Sequence, residues 1–369
     1  MDVSPLNYKL TFEPDLKKFT FTGLESISIN CKKSVNSITM NCAELKIKSC
    51  IVKSGKKIIK SYPKTNEKKE ELQIKLAEKI RGLCTVDLEF EGILNDRLLG
   101  FYRSRYEQNG KTKYLATTQF EAADARRAFP CWDEPEAKAT FEISIIADNQ
   151  FTAISNMPVK TKKKTGKTTL YNFQKTPLVS TYLIYLGVGE FEYLSGKAGK
   201  IQIRVVTTKG NTSKGKFSLE LGKKLLTSYE KYFGIKFPLP KLDLIAVPDF
   251  AAGAMENWGA ITFRETILLY DPKTSSTRTK QFIAEVISHE IAHMWFGNLV
   301  TMKWWNDLWL NESFATFMAT KFVDKFYPEW DLWNQFVEDA MNVAMGLDSL
   351  KTTHPIDVKV NSPAEIREI

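Results

Sequence analysis

The hydrophobic period of this chain changes once, and that change limits the possible folds more than any other feature. "YKLTFEPDL", "KFTFTGLESISINCK", "LCTVDLEFEGIL", "KATFEISIIAD" and "STYLIYLGVGEFEYL" alternate apolar and polar residues between turn residues, the pattern of strands with one buried face. About 195 residues of this kind predict a twisted antiparallel sheet or sandwich. After "IQIRVVTT" helical spacing takes over: "SKGKFSLELGKKLLTSYEKYFG" repeats at that period and stops at Gly234, and the segments from Arg278 onward are helical. "KLDLIAVP" and "GAITFRETILLY", between them, are strand-like. A chain of 369 residues exceeds one ordinary core. We therefore expect an α+β protein with a β domain over 1–197 and a second domain over 198–369, the boundary lying near Gly196–Gly199.

Composition narrows the class. Hydrophobic content of 43% with 26% charged residues describes a soluble globular chain, and no apolar run reaches the ~18 residues of a membrane span. The start "MDVSPLNYKLTFEPDLKKF" has no basic region followed by an apolar block, so no signal peptide is expected. Cys31, Cys42, Cys50, Cys84 and Cys131 are scattered without paired spacing, which suits free thiols in a reducing, cytoplasmic setting. The net charge of +9 gathers in "KSGKKIIKSYPKTNEKKEE" and "KTKKKTGKTT", which look like hairpin tips without aromatic interleaving. Solvated loop charge accounts for them, and no nucleic-acid partner is expected.

Histidine is scarce, three residues in all, yet two stand four apart in His289-Glu290-Ile291-Ala292-His293. On a helix that spacing places both imidazoles on one face, able to meet one ion. "QFIAEVISHEIAHMWFGN" supports such a helix, with Phe282, Ile283, Val286, Ile287 and Met294 as its apolar face and Gly297 as its stop. Catalytic zinc takes three protein ligands and keeps an open position. Glu312 supplies the third from a second helix through "LWLNESFATFMATKFVDKFY", with Asn306 and Asp307 as its caps. Glu290 points about 100° away from the histidines, where it can take a proton from a metal-activated water as general base. His354, in "THPID", has no such partner and is read as a packing or turn residue.

Upstream, "LDLIAVPDFAAGAMENWGAITFRETILLY" carries a strand ending at Pro248, small residues Ala251–Ala254, the acid Glu256 and a second strand. The small residues leave room for a peptide backbone to pair there. "GAMEN" at Gly253–Asn257, then HExxH and Glu312, together with "TQFEAADARRAFPCWDEP" at Thr118–Pro135, resembles the gluzincin aminopeptidases of the aminopeptidase N type over nearly the whole chain. "WLNESFATFM" is similar to the puromycin-sensitive and tricorn-interacting-factor branch. The resemblance implies a saddle-like β domain, a thermolysin-like catalytic domain, one zinc ion and removal of N-terminal residues from peptides. By motif match Glu121 and Glu256 would meet the substrate's α-ammonium, Gln119 and Met255 would line the first side-chain pocket, and Gly253 and Ala254 would hold the peptide backbone, with Asn257 closing the motif.

The resemblance also implies an oxyanion-binding tyrosine a few residues beyond a stretch like "NSPAEIREI". Tyr270 and Tyr327 occupy other motifs and match it no better. We expect this chain to be weakly active or inactive alone, with the missing C-terminal part of the same protein as a partner. Ser313 and Ala319 stand where relatives carry a glycine and an acid, leaving Asp307 and Glu285 as candidates for orienting a histidine. The competing readings are an endopeptidase or epoxide hydrolase using the same zinc, and a non-catalytic zinc-containing module.

Overall fold

The computed structural model describes residues 1–368, so Ile369, the outer bound of the second expected domain, lies outside the described residues. Contacts divide the chain into two compact units: Met1–Phe191 with Val247–Ala251, and Glu192–Ala246 with Ala252 onward.

The first unit is built from strands. Its nine-stranded sheet runs, in spatial order, through 159–165, 168–173, 140–148, 3–15, 20–41, 71–93, 46–54 and 57–59, with 61–66 also pairing with 71–93. The two longest strands, Thr20–Asn41 and Glu71–Ile93, carry the sheet and pair from Thr20↔Ile93 to Asn41↔Glu71. Alternation in Thr20–Asn41 sends Phe21, Gly23, Glu25, Ile27, Ile29 and Cys31 inward. Cross-strand pairs there match a glycine with an aromatic: Phe21 faces Gly92, and Gly23 faces Phe90. A Cβ on either glycine would come within 2.2 Å of the opposite ring, so the rings lie flat over bare backbone. Phe12 packs edge-on against Phe90, Phe101 and Phe129, and Phe129 in turn lies edge-on to Tyr8.

Not all pairing is antiparallel. Val3–Asp15 and Thr140–Asp148 run parallel, Asn7 opposite Thr140, a pairing allowed because more than a hundred residues connect them. Val159–Thr165, the outer strand that holds most of "KTKKKTGKTT", is exposed at every residue, and its lysines discourage further edge pairing. A second, four-stranded sheet includes the hairpin Gly100–Gln108/Lys111–Gln119, turned by Asn109-Gly110 with φ of 52° and 70° as a two-residue hairpin turn requires. The run "STYLIYLGVGEFEYL" does not form one strand: Thr181–Leu183 makes a 3₁₀ turn, Leu186–Gly189 a short strand, and Phe191–Ala198 a strand of another sheet.

The second unit has a five-stranded sheet, ordered 191–198, 201–208, 241–247, 260–264 and 254–255. Lys241–Val247 is buried at every residue and pairs parallel with Ile201–Thr208, as expected of a strand covered on both faces. Helix α1 (Lys216–Phe233) buries Leu221, Leu225, Leu226 and Tyr229 and ends on Gly234 at φ 67°, a left-handed glycine stop. Helix α2 (Thr277–His293) and helix α3 (Leu308–Phe326) follow. The α+β organisation agrees with the sequence, but two local expectations do not. Phe282 is turned to solvent, its expected place on the buried face of α2 taken by Ala284 and Ile291 beside Ile283 and Ile287. Asp307 precedes α3 without a side-chain cap bond, and Asn306 Oδ1 instead accepts from the Val360 N–H at 2.9 Å.

Candidate metal centre

Helix α2 starts at Ser276, whose hydroxyl accepts the Thr279 N–H at 3.0 Å, a serine N-cap. His289 and His293 lie one turn apart near its far end, and Glu312 lies in the second turn of α3. The two helices are pinned by a residue that hydrophobic periodicity marks only as core. The Tyr229 hydroxyl of α1 sits 2.8 Å from Ser288 Oγ, 3.1 Å from the Ser288 carbonyl and 3.2 Å from the Met318 carbonyl. One phenol thus touches α2 next to His289 and α3 two turns beyond Glu312.

Across that gap three ligand atoms face one another. His289 Nε2 and His293 Nε2 are 2.9 Å apart, and Glu312 Oε2 lies 3.1 Å from the first and 3.7 Å from the second. Ligands at zinc bond lengths in a tetrahedron stand about 3.3 Å apart, which is close to the mean of these separations. The donor set, two imidazoles and one carboxylate, is the three-ligand kind used with an open fourth position.

Tautomers favour the same use. His293 Nδ1 has Asn311 Oδ1 and the Phe296 carbonyl at 3.1 Å each. Both are acceptors, so the ring proton belongs on Nδ1 and the Nε2 lone pair is left for a ligand. His289 Nδ1 meets Thr316 Oγ1 at 3.3 Å. These groups take the orienting role expected of Asp307 or Glu285. Glu285 instead lies in the field of Arg278 and Asp339, with burial raising its pKa. Gly297 makes the Asn311 contact possible: its φ is 134°, and a Cβ there would lie 2.6 Å from Asn311 Oδ1.

The electrostatics point to stored negative charge. Burial and the neighbouring His293 push the His289 pKa down. Burial also opposes charge on His293, but Glu256, Glu312 and Glu290 outweigh it and raise its pKa well above the usual range. Burial would raise Glu312, yet hydrogen bonds and charge from both histidines hold it low. Three acids around one imidazole form a sink for positive charge, and a divalent ion fits that environment.

Glu290, the residue between the histidines, is buried, and no protein group among the described residues donates to its Oε2. Burial, with Glu256 and Glu312 nearby, pushes its pKa well up. Glu256 is also buried, its Oε1 without a donor among the described residues, while Asn311 bonds its side chain. Ahead of it Ala254 and Met255 pair with Phe263 and Thr262 as a two-residue edge strand, and the Gly253 carbonyl accepts the Arg264 N–H at 2.9 Å. A Cβ on Gly253 would meet only Ile267 Cδ1 at 3.7 Å, so that glycine leaves surface open instead of avoiding a clash. Met255 is buried, and Asn257 is buried with its amide bonded to Thr262 Oγ1 at 3.1 Å. In the first unit, Gln119 ends the strand Lys111–Gln119 with its Oε1 buried and undonated among the described residues, and Glu121 follows in a turn, half-buried.

The description "Peptidase family M1 domain" matches residues 217–369, and "Peptidase M1 N-terminal domain" matches residues 4–183. "Aminopeptidase M1" of Arabidopsis thaliana is 44% identical over 99% of this chain and 42% of its own length. "Puromycin-sensitive aminopeptidase" of Caenorhabditis elegans is 44% identical over 99% of this chain and 39% of its length. "Alanine/arginine aminopeptidase" of Saccharomyces cerevisiae is 44% identical over 100% of this chain and 44% of its length. The chain thus spans roughly two fifths of the length of these relatives.

Proposed function

The chain belongs to peptidase family M1, and from that premise we propose that it carries the zinc centre of an aminopeptidase that removes N-terminal residues from peptides. The observation that carries this reading is Glu290 Oε2: a buried carboxylate oxygen without a protein donor, on the residue next to a triangle of three metal-competent ligands. His289, His293 and Glu312 would hold one zinc ion. When bound, the ion supplies Lewis acidity and brings the pKa of a water it holds towards ~7.

Glu290 Oε2 takes the proton of the attacking water and later returns it to the leaving amine nitrogen. Burial raises its proton affinity, which favours uptake of the water's proton. Asn311 keeps the His293 proton on Nδ1 throughout. Glu256 Oε1 receives the substrate's α-ammonium, the partner a buried carboxylate with a vacant acceptor favours. The edge strand Ala254–Met255 lies along the peptide backbone, with Gly253 leaving space for it. Met255 and Asn257 join the substrate residues on motif resemblance, and Gln119 and Glu121 of the first unit keep only the substrate role that the resemblance implies. The substrates are peptides with a free N-terminus. Cytoplasmic residence is part of the proposal and rests on five free thiols.

The test is hydrolysis of aminoacyl-arylamides by the protein loaded with one equivalent of zinc, comparing this chain, for which weak turnover is expected, with a longer form of the relatives' length. Turnover should vanish with a chelator, return with zinc, and be absent on the same substrates acetylated at nitrogen. Equal cleavage of acetylated and free substrates would overturn the aminopeptidase reading in favour of an endopeptidase.

A further inference from the structure

Glu256 sits where regular structure stops. Its predecessor Met255 makes the last ladder pair, with Thr262, and the turn closed by Ala260 N–H to the Asn257 carbonyl begins at the next residue. The Glu256 carbonyl has therefore left the sheet and needs another donor. That donor comes from the loop after α2. Asn298 is fully buried, and its Nδ2 donates to the Glu256 carbonyl at 2.7 Å. Its backbone N–H donates to the His293 carbonyl at 3.0 Å, and Thr301 Oγ1 donates to its own carbonyl at 3.0 Å. The loop is closed by Gly297 N–H to the Val300 carbonyl at 2.7 Å.

We propose that Asn298 is a positioning residue that sets the carboxylate of Glu256 in register with the metal-binding end of α2, and so determines how strongly the site prefers a free amine. It rests on the reading of Glu256 as the amine receptor. One residue bonds the backbone of His293 on one side and the backbone of Glu256 on the other, so Asn298 ties the main chain of the amine pocket to the metal-binding end of α2, while Asn311 bonds the Glu256 side chain. Only a donor works here. An aspartate has the same shape but would set a carboxylate oxygen against the Glu256 carbonyl.

The experiment uses the zinc-loaded protein and two probes, leucinamide and its des-amino analogue 4-methylpentanamide, with binding measured by calorimetry and zinc affinity by competition with a chelating dye. The native protein should prefer the amine. Asn298→Asp, and Asn298→Ala as the variant without a new charge, should each lose roughly tenfold of that preference, the scale of one buried hydrogen bond. Binding of the des-amino probe and zinc affinity should be unchanged. An unchanged preference in either folded, zinc-bound variant overturns the proposal, as does parallel loss of zinc and of both probes in the two variants, which marks a purely structural clamp. A native protein with no preference for the amine refutes the reading of Glu256 instead.

Discussion

Glu25 in the first unit and Glu290 in the second begin from the same physics. Each is buried, each has carboxylate oxygen without a protein donor among the described residues, and burial pushes each pKa well up. Their surroundings differ. Glu25 lies in the field of the Tyr8 phenol and the Cys42 and Cys131 thiols. Burial lifts all three, Cys42 to about 12, so each is neutral near pH 7 and offers no charge to share. Glu290 instead feels His293, Glu256 and Glu312. An isolated buried acid is a cost to the fold, whereas one among converging nitrogen and oxygen donors is a site.

The sharpest way to break that comparison is to make the same change in both places. Glu290→Gln should lower zinc-dependent hydrolysis by about 10²–10⁴, the usual share of a general base, with zinc still bound. Glu25→Gln should leave the rate within about twofold, as for a site with no shared partners. Similar losses from both would show that burial, and not the converging donors, is what matters. A smaller effect is expected one shell out. Asn311→Ala removes one of the two acceptors at His293 Nδ1 and should weaken zinc binding roughly tenfold, read by dye competition. Thr316→Ala should do less, since Thr316 is exposed and its contact is longer. Equal zinc affinity in native protein and Asn311→Ala would remove Asn311 from the account.

Much of this was legible before the structure, for physical reasons that also mark the limit. Period 3.6 dictates that His289 and His293 share a face, and the helical run around Glu312 makes an approach from a second helix natural; the structure brings the three together. The alternation of "KFTFTGLESISINCK" marks a strand, but the acid Glu25 on its buried face shows only in the structure. Direction is lost where it depends on a crossing of elements. Asp307 and Glu285 had the charge to orient a histidine, but the way α3 meets α2 gives that place to Asn311, a neutral neighbour of the ligand. Tyr229 shows only as an apolar helix position, because its three oxygen neighbours come from α2 and α3. The parallel pairing of Val3–Asp15 with Thr140–Asp148 escapes local pattern for the same reason. Phe282 met the periodic template but not the neighbours, and so faces water.

A stability slope isolates Glu25 through pH, without any appeal to hydrolysis. Its unfolded value is near the ordinary 4.5, and its folded value is raised well above that by burial. Below about pH 4.5 both states hold the proton and the group contributes nothing to the pH dependence. Above it the unfolded chain releases the proton while the folded one keeps it, so the unfolded state binds fewer protons and stability falls as pH rises. The slope is about 1.4 kcal/mol per pH unit, up to the folded-state pKa. Glu25→Gln cannot titrate, so its stability relative to the native protein should improve steadily from pH 4.5 towards neutrality, measured by urea unfolding at matched ionic strength. Parallel curves for the two proteins would mean that Glu25 finds a compensating donor in the fold, and the contrast with Glu290 would then rest on the metal ligands alone.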